Sequence, residues 1–484
     1  MKLNQLLRNT KIISVHGDRN IDVKNICSDS RKVNPGFLFV AVAGICTDGH
    51  DYIPKAIEQG ATVVVYDKPM IEEYFSRVTY IQVKNSAKAL AEIAAAWYDN
   101  PSEKLKLVGI TGTNGKTTIA TLLYDTVRKL GHSAGLLSTV CNYVNDEAYQ
   151  TSLTTLDAIS LNQLMSKMVD AGCEYAFMEV SSHAIHQHRT HFLRFIGGVY
   201  TNLSQDHLDY HKNMLEYLNV KKQFFDNLPA NAFALTNSDD KNGMVMLQNT
   251  KASKHTYSVK KLADYKARIF EKHFDGTDIE INGRELTVQF VGVFNVYNLL
   301  AVYGTAVLLG LPTDDLLVTL SSLKSVAGRF QTIRSPHDVT AIVDYAHTPD
   351  ALVNVLNAIH EVLGNKGEII TVVGSGGNRD KTKRPIMARE SVERSNKVIL
   401  TTDNPRFEEP QEILNDMLTG LTTKQKQQTL NILDRREAIK TACNLAKPGD
   451  VILIAGKGHE NYQDIKGVKY HFDDKEVVEE CFLI

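Results

Sequence analysis

Residues 107–131, "LVGITGTNGKTTIATLLYDTVRKLG", decide how this chain is read. An apolar, β-branched run leads into a glycine-rich turn, and an amphipathic helix follows. Gly112 and Gly115 let backbone N–H groups close around phosphate oxygens, and the helix N-terminus adds a favourable dipole. Lys116 reaches the terminal phosphates of a nucleotide, and Thr117 offers a hydroxyl to Mg²⁺. Gly112, Thr113, Asn114, Gly115, Lys116, Thr117 and Thr118 are therefore expected to bind nucleotide. The general P-loop spacing asks for glycine at position 110. Ile110 stands there and Gly109 one residue earlier, so the loop is a bent variant.

Outward from this unit, short β-branched runs alternate with helical patterns: "FLFVAVAG", "ATVVVYD", "YAFMEVS", "GGVYTNL", "AIVDYA", "IITVVGS", "KVILTTDN" and "DVILIAG". The pattern predicts an α/β chain with mostly parallel sheets. Two breaks, "YDNPSEKLK" and "SVAGRFQTIRSPHD", divide it into three expected domains: 1–102, 103–331 and 332–484. Lys and Arg total 54 against 56 Asp and Glu, so no polycationic surface points to nucleic acid or an anionic membrane. No segment has the length of a membrane span, and "MKLNQLLRNTKIISVHG" lacks the apolar run of a signal peptide. The six cysteines are scattered without a CxxC, as expected of reduced thiols in a cytoplasmic protein.

"FMEVSSHAIHQHR" and "VYTNLSQDHLDYH" place Glu179 and His207 past strands, where open α/β sheets gather ligands. Together they suit Mg²⁺ or Mn²⁺. Each of His183, His186, His188 and His191, taken singly, reads as a surface or capping residue. In "MLEYLNVKKQFFDN", residues 214–227, Met214, Leu218 and Phe225 form one helical stripe, and Lys221 falls near its middle. Periodicity by itself favours a snorkelling lysine, its stem packed and its head in water. The alternative is a buried neutral amine that captures CO₂ as a carbamate, a carboxylate able to hold a cation beside Glu179 and His207.

Further along, "VGVFNVYNLL" carries Asn295 and Asn298, which suit either a base or phosphate contact or helix capping. "VDYAHTPDAL" sets Asp344 and His347 between a strand and a helix. "VVGSGGNRDKTKRP" is a second glycine-rich, basic turn, read as facing the same nucleotide or as a flexible loop. "VILTTDNPRFEEP" presents Asp403, Asn404, Pro405 and Arg406 after a strand, and "LIAGKGHENYQ" presents Gly456 and Glu460. A guanidinium on one loop and a carboxylate on the other suit a zwitterionic amino acid; the bland alternative is a surface ion pair.

The ordered set "TGTNGKTT", "EVSSHAIHQHR", "TNLSQDHLDYH", Lys221, "GVFNVYN", "GRF", "DYAHTPDAL", "GGNRDKTKRP", "DNPR" and "GKGHE" resembles the Mur ligase family over nearly the whole chain. Within it, the chain is similar to the branch that adds the third peptide residue to UDP-N-acetylmuramoyl-L-alanyl-D-glutamate. The family's nucleotide loop shares the bent spacing. The resemblance implies a small N-terminal α/β domain for the UDP-substrate, a central P-loop ATPase domain, and a C-terminal Rossmann-like domain for the amino acid. It implies ATP and Mg²⁺ as cofactors. Asn295, Arg329, Asp344 and His347 join the loop in binding ATP, and Lys116, Glu179, His207 and Lys221 form the catalytic set.

It further implies that Lys221 is N6-carboxylysine and holds Mg²⁺ with Thr117, Glu179 and His207. The matching UDP-substrate positions are Ser28, Ser30, Thr154, Thr155, Ser181, Gln187 and Arg189, with Ile45, Cys46 and Thr47 matching more loosely. Asp403, Asn404, Pro405, Arg406, Gly456 and Glu460 match the positions for meso-diaminopimelate. "DNPR" is associated with that amino acid, whereas lysine-adding relatives lack its arginine. The expected partners are these two substrates, with no nucleic acid and no membrane insertion, and a monomer is expected. Rivals are a lysine-adding homologue, a folylpolyglutamate-synthetase-like ligase, a P-loop kinase or motor, and a non-catalytic nucleotide scaffold.

Overall fold

The computed structural model describes residues 1–44, 47–69, 75–151, 153–364 and 366–483. Ile45 and Cys46 lie outside the described residues. All the apolar runs read from the sequence as strands are strands, and they sort into three sheets.

The first sheet orders Ile12–His16, Thr79–Val83, Val63–Tyr66, Phe37–Val40 and Asn25–Cys27, parallel except for its first pair. Phe37–Val40 and Val63–Tyr66 are buried on both faces, which is why they read as continuous apolar runs, whereas the edge strand Ile12–His16 is largely exposed.

The second sheet has eleven strands, with Lys106–Thr111 inside its parallel part, between Tyr175–Glu179 and Gly197–Tyr200. Alternation along Lys106–Thr111 sends Val108 and Ile110 to one face, against the helices Lys116–Lys129 and Val293–Leu308. Leu107 faces the other way, toward the core that takes Phe224 and Phe225 from the helix Met214–Asp226. Gly109 lies on that second face. A Cβ there would come within 2.6 Å of the Phe224 ring, so this glycine serves strand–helix packing and not phosphate binding. That explains the bent spacing.

An antiparallel extension, Tyr265–His273, Gly276–Ile281 and Arg284–Val288, continues the sheet at one edge, where the sequence reading had assigned no strands. Its Lys272 pairs with Glu361 at 2.9 Å, and its turn residue Phe274 packs on the core of the third sheet.

The third sheet orders Gln331–Arg334, Thr340–Asp344, Val451–Ala455, Ile369–Ser375, Lys397–Thr402 and Thr429–Asn431, parallel apart from its first pair. This is a doubly wound arrangement with helices on both faces. The carboxyl ends of its strands carry Asp344, Ser375, Asp403 and Gly456, so side chains distant in sequence meet along one rim.

No helix among the described residues is long and apolar enough to cross a membrane.

Candidate active site

The glycine-rich loop is stapled to the segment after the strand Gly197–Tyr200. Thr113 N–H donates to the Asn202 carbonyl (2.9 Å), Asn114 N–H to Asn202 Oδ1 (3.0 Å), and Thr201 Oγ1 to the Asn114 carbonyl (2.6 Å). Gly112 sits at φ +154°, and a Cβ there would fall 1.8 Å from Thr201 Oγ1. Gly115, at φ +88°, begins the helix, and its Cβ position lies 2.6 Å from Asn298 Oδ1. Asn298 Nδ2 donates to Asn295 Oδ1 (3.2 Å), and Asn295 Nδ2 to the Val291 carbonyl (2.9 Å). The N-cap of their helix is Gly292, so the capping alternative for the two asparagines falls.

A cavity of about 570 Å³ opens beside this loop. Asn114, Gly115, Thr118, Asn295, Asn298, Arg329 and Asp344 line it, so the second and third domains both contribute walls. Asp344 is buried and accepts the Phe330 N–H at 2.6 Å; burial pushes its carboxyl up to about 6. The turn 372–385 contributes no residue to the cavity. Its glycines pack under the Asn404–Arg406 loop instead, with Gly377 N–H donating to the Asn404 carbonyl at 2.9 Å.

Next to the cavity is a charged centre. Glu179 ends its strand and is 1% exposed. Its Oε2 accepts the Thr117 hydroxyl at 2.9 Å, and its Oε1 accepts both the backbone N–H and the hydroxyl of Thr139, at 2.7 and 3.0 Å. Lys116 Nζ donates to the carbonyls of Gly112 (3.0 Å) and Thr113 (2.8 Å).

Lys221 does not snorkel: it is 1% exposed, and its Nζ donates at 2.8 Å to the same Gly112 carbonyl, 4.6 Å from the Tyr217 ring centre. Burial, then the neighbouring Lys116, drives its ammonium far below the usual lysine range, with Asp206 opposing. The shift favours the neutral amine over the ammonium.

His207 lies several residues past its strand, at φ +54°, and not at the strand end itself. Burial drives its imidazole down to about 3 against the pull of Asp206, 3.4 Å away, leaving a neutral ring. Burial raises Asp206, but His207, His347 and Lys383 outweigh it and hold that carboxyl below its usual range. His347 Nδ1 meets the Tyr345 carbonyl at 2.9 Å, and its Nε2 lies 3.9 Å from Asp206. His347 therefore belongs to this centre and not to the cavity wall.

The donor set fits a hard divalent cation on one condition. Thr117 and Glu179 supply oxygens and neutral His207 a nitrogen. A positive Lys221 would repel the ion; a neutral amine or its carbamate would not. Among the described residues, the only trio of acids and imidazoles already converging within 4.8 Å is the largely exposed Glu271, His273 and Asp278. A carbamate on Lys221 would add an oxygen ligand to those of Thr117 and Glu179.

A polar network runs away from Glu179. Thr155 Oγ1 donates to the Glu179 carbonyl (2.8 Å) and lies 3.2 Å from Ser181 Oγ; Arg189 donates to the Thr155 carbonyl (2.8 Å) and to Gln187 Oε1 (2.6 and 2.9 Å). Thr154 Oγ1 accepts from Thr139 (3.1 Å). These five expected substrate residues are one connected surface. Ser28 and Ser30 stand apart from it, beside Asp29 in the first domain.

At the other end of the rim, Asn404 Nδ2 donates to Glu460 Oε2 at 2.6 Å. Arg406, at φ +51°, donates to the Gly377 carbonyl at 2.8 Å. A Cβ on Gly456 would press on Asp403 Oδ2 at 2.9 Å. Glu460 is not a surface ion-pair residue: burial, then Asp403, raises its carboxyl above the usual range. The sequence reading missed Thr139, Asp206, Tyr345 and Lys457, each of which joins this site through partners distant in the chain.

Comparison with known proteins agrees across the whole length. The chain matches "Mur ligase family, catalytic domain" over residues 22–98, "Mur ligase middle domain" over 110–306 and "Mur ligase, glutamate ligase domain" over 328–458. It is 60% identical over 484 residues to a protein of Bacteroides fragilis named UDP-N-acetylmuramoyl-L-alanyl-D-glutamate--2,6-diaminopimelate ligase, with 100% of each chain covered. A protein of the same name from Parabacteroides distasonis is 61% identical, with 100% of this chain and 99% of that one covered. A solved structure of a ligase of that name superposes with a TM-score of 0.67 at 30% identity, covering 100% of this chain and 98% of the other.

Proposed function

This chain belongs to the Mur ligase family, and we propose that it joins meso-diaminopimelate to the D-glutamate of UDP-N-acetylmuramoyl-L-alanyl-D-glutamate at the expense of ATP. It is an ATP-dependent, ADP-forming acid–amino-acid ligase. The reaction is a step of cytoplasmic peptidoglycan precursor synthesis, carried out by a monomer. One observation carries the reading: Arg329 lines the P-loop cavity, donates to Thr117 and lies over the ring of Tyr345, whose hydroxyl is 3.5 Å from Glu460 in the Asn404–Arg406–Glu460 site.

In the reaction, the γ-carboxylate of D-glutamate attacks the γ-phosphate of ATP, giving an acyl phosphate and ADP. The amine of diaminopimelate then attacks the activated carbonyl. A tetrahedral intermediate forms, and phosphate leaves. Lys116 faces the charge that gathers on the transferred phosphoryl. Mg²⁺, when bound, would be held by Thr117, Glu179, His207 and the carbamate of Lys221, and would neutralise phosphoryl charge. Thr139 fixes Glu179, so that carboxylate is oriented before substrate arrives.

Thr154, Thr155, Ser181, Gln187 and Arg189 line the approach of the UDP-substrate toward Glu179, with Ser28 and Ser30 gripping its far end. Glu460, which accepts from Asn404, holds the ammonium of the amino acid, and Arg406 holds a carboxylate. A site built around that guanidinium disfavours lysine, which leaves it desolvated and unpaired.

Phosphate release from ATP with purified UDP-N-acetylmuramoyl-dipeptide tests the assignment. Turnover with meso-diaminopimelate exceeding that with L-lysine is expected. Faster turnover with lysine removes the specificity, and no turnover with any amino acid removes the function.

A further inference from the structure

The amino-acid end of the rim holds a buried cation with no part in the chemistry above. The Lys457 side chain is 0% exposed. Its Nζ donates to Asn404 Oδ1 at 3.1 Å, to the Tyr462 carbonyl at 2.5 Å and to Glu460 Oε2 at 3.4 Å, with Asp403 Oδ1 3.9 Å away. Glu460 Oε2 therefore accepts from both Asn404 and Lys457. Among the described residues, Glu460 Oε1 has only a 3.5 Å contact from the Tyr345 hydroxyl. That oxygen is the one left for a ligand.

Charge points the same way. Asp403 and Glu460 are two acids beside one lysine. Arg435, which both acids influence, is matched by its own bidentate partner Asp474 at 2.7 Å, and Arg406 donates to the Gly377 carbonyl. Among the described residues Lys457 is the cation paired with Glu460, at 3.4 Å, and a ligand ammonium would be a second.

We propose that Lys457 is a positioning residue for amino-acid recognition: it fixes Asn404 and one oxygen of Glu460, so that the other oxygen meets the ammonium of the incoming amino acid as a carboxylate. The proposal rests on the reading of these loops as the amino-acid site. The groups facing Glu460 are Asp403 and Asn404 from one loop, Tyr345 from a second, Lys457 and Tyr462 from its own, and Arg435 at longer range. Burial and Asp403 favour the neutral acid; Lys457 and Asn404 favour the carboxylate. Without Lys457 the balance tips toward a protonated Glu460, which cannot pair with an ammonium.

The test compares wild type, Lys457→Met and Lys457→Arg with ATP, the UDP-substrate and meso-diaminopimelate. Lys457→Met is expected to raise KM for diaminopimelate at least about tenfold while KM for ATP stays put. The acid limb of kcat/KM for diaminopimelate should move to higher pH. Lys457→Arg, which keeps the charge, should recover part of both effects.

A double variant with Glu460→Gln should show no further pH displacement from Lys457→Met. Equal losses for all substrates, or an unmoved acid limb, would mean that Lys457 only supports the fold, and the proposal would be overturned. If Lys457→Met does not bind ADP in a thermal-shift assay, Lys457→Arg decides: a KM change confined to diaminopimelate supports the proposal, and a uniform loss refutes it. The wild-type amino-acid preference tests the function separately. Should another amino acid be preferred, the same KM split, measured with that one, still decides the role of Lys457.

Discussion

Arg329 Nη2 donates to Thr117 Oγ1 at 3.1 Å across 212 residues of sequence. The same guanidinium lies 4.5 Å from the ring centre of Tyr345, whose hydroxyl reaches Glu460. A single planar cation thus touches the nucleotide loop on one side and the floor of the amino-acid site on the other. Thr117 in turn donates to Glu179, so the contact also bears on the charged centre. The proposed reaction needs two substrates to meet in line, and this contact joins the two domains assigned to them.

Arg329→Lys keeps the charge and loses the plane. A lysine cannot donate to Thr117 and stack on Tyr345 together. We expect kcat to fall about 10- to 100-fold, the effect of losing one well-placed charged donor, with the melting temperature nearly unchanged. Steady-state kinetics beside a thermal melt check this. An unaltered kcat would show the contact to be incidental.

Much of this arrangement was legible in the sequence because it is local. The strands of the parallel sheets are apolar on both faces and stand out as runs, and loop chemistry follows directly at their carboxyl ends. The antiparallel extension was passed over because its strands alternate with charged residues. Its turn signal was nevertheless present: Asn282 and Gly283 both have positive φ, as a tight hairpin turn requires. Asp206, Thr139 and Lys457 had no comparable local signal. Asp206 gains its meaning from His347, Thr139 from Glu179 and Lys457 from Asn404, and each of those pairs is made only by the sheet order. The inward lysine was visible as a break in periodicity, but its burial was not, since period alone does not say whether a side-chain tip reaches water.

That lysine gives the second prediction. Lys221→Met keeps a similar length and removes an amine whose hydrogen bond goes only to a carbonyl, Gly112 O. The Gly112 carbonyl keeps its Lys116 donor, so an apolar isostere at 221 leaves no acceptor unpaired there. The variant should therefore melt at or above the wild-type temperature while losing turnover by about 10³-fold or more, on the scale of a lost metal-positioning group. Wild type equilibrated with ¹³C-labelled CO₂ should show a carbamate carbon by NMR that the variant lacks. Lys221→Ala should regain some activity with added short carboxylates. A wild-type enzyme that is fully active without a carbamate signal would refute the modification.

Asp125, on the helix that follows the nucleotide loop, gives a pH prediction. Burial raises its carboxyl to about 6, and Lys129 offsets only part of this. Between its unfolded value near 4 and about 6, the folded state binds more proton than the unfolded state. Stability from this group is therefore present at acid pH and lost as pH rises through about 6. Asp125→Asn should stabilise the central domain by about 1–2 kcal/mol at pH 8 and by little at pH 4.5. Urea titrations at the two pH values check the difference; an equal effect at both would remove the titration as its cause.

The last prediction concerns the support beneath the amino-acid loop. Arg435 and Asp474 are both 0% exposed and pair through two bonds of 2.7 Å. Arg435 Nη2 also donates to the Ala455 carbonyl at 3.1 Å, one residue before Gly456. Asp474→Asn leaves a buried guanidinium without its counter-charge, at a cost of about 3–5 kcal/mol to the C-terminal domain. The double replacement Arg435→Met with Asp474→Leu removes both charges and should recover most of that stability. It should not recover amino-acid binding, because the Ala455 carbonyl loses its donor and the loop carrying Gly456 and Glu460 is no longer held. Limited proteolysis in urea reports the first effect, and KM for the amino acid the second. If the double variant restores both, the pair serves only stability and the loop is positioned by other contacts.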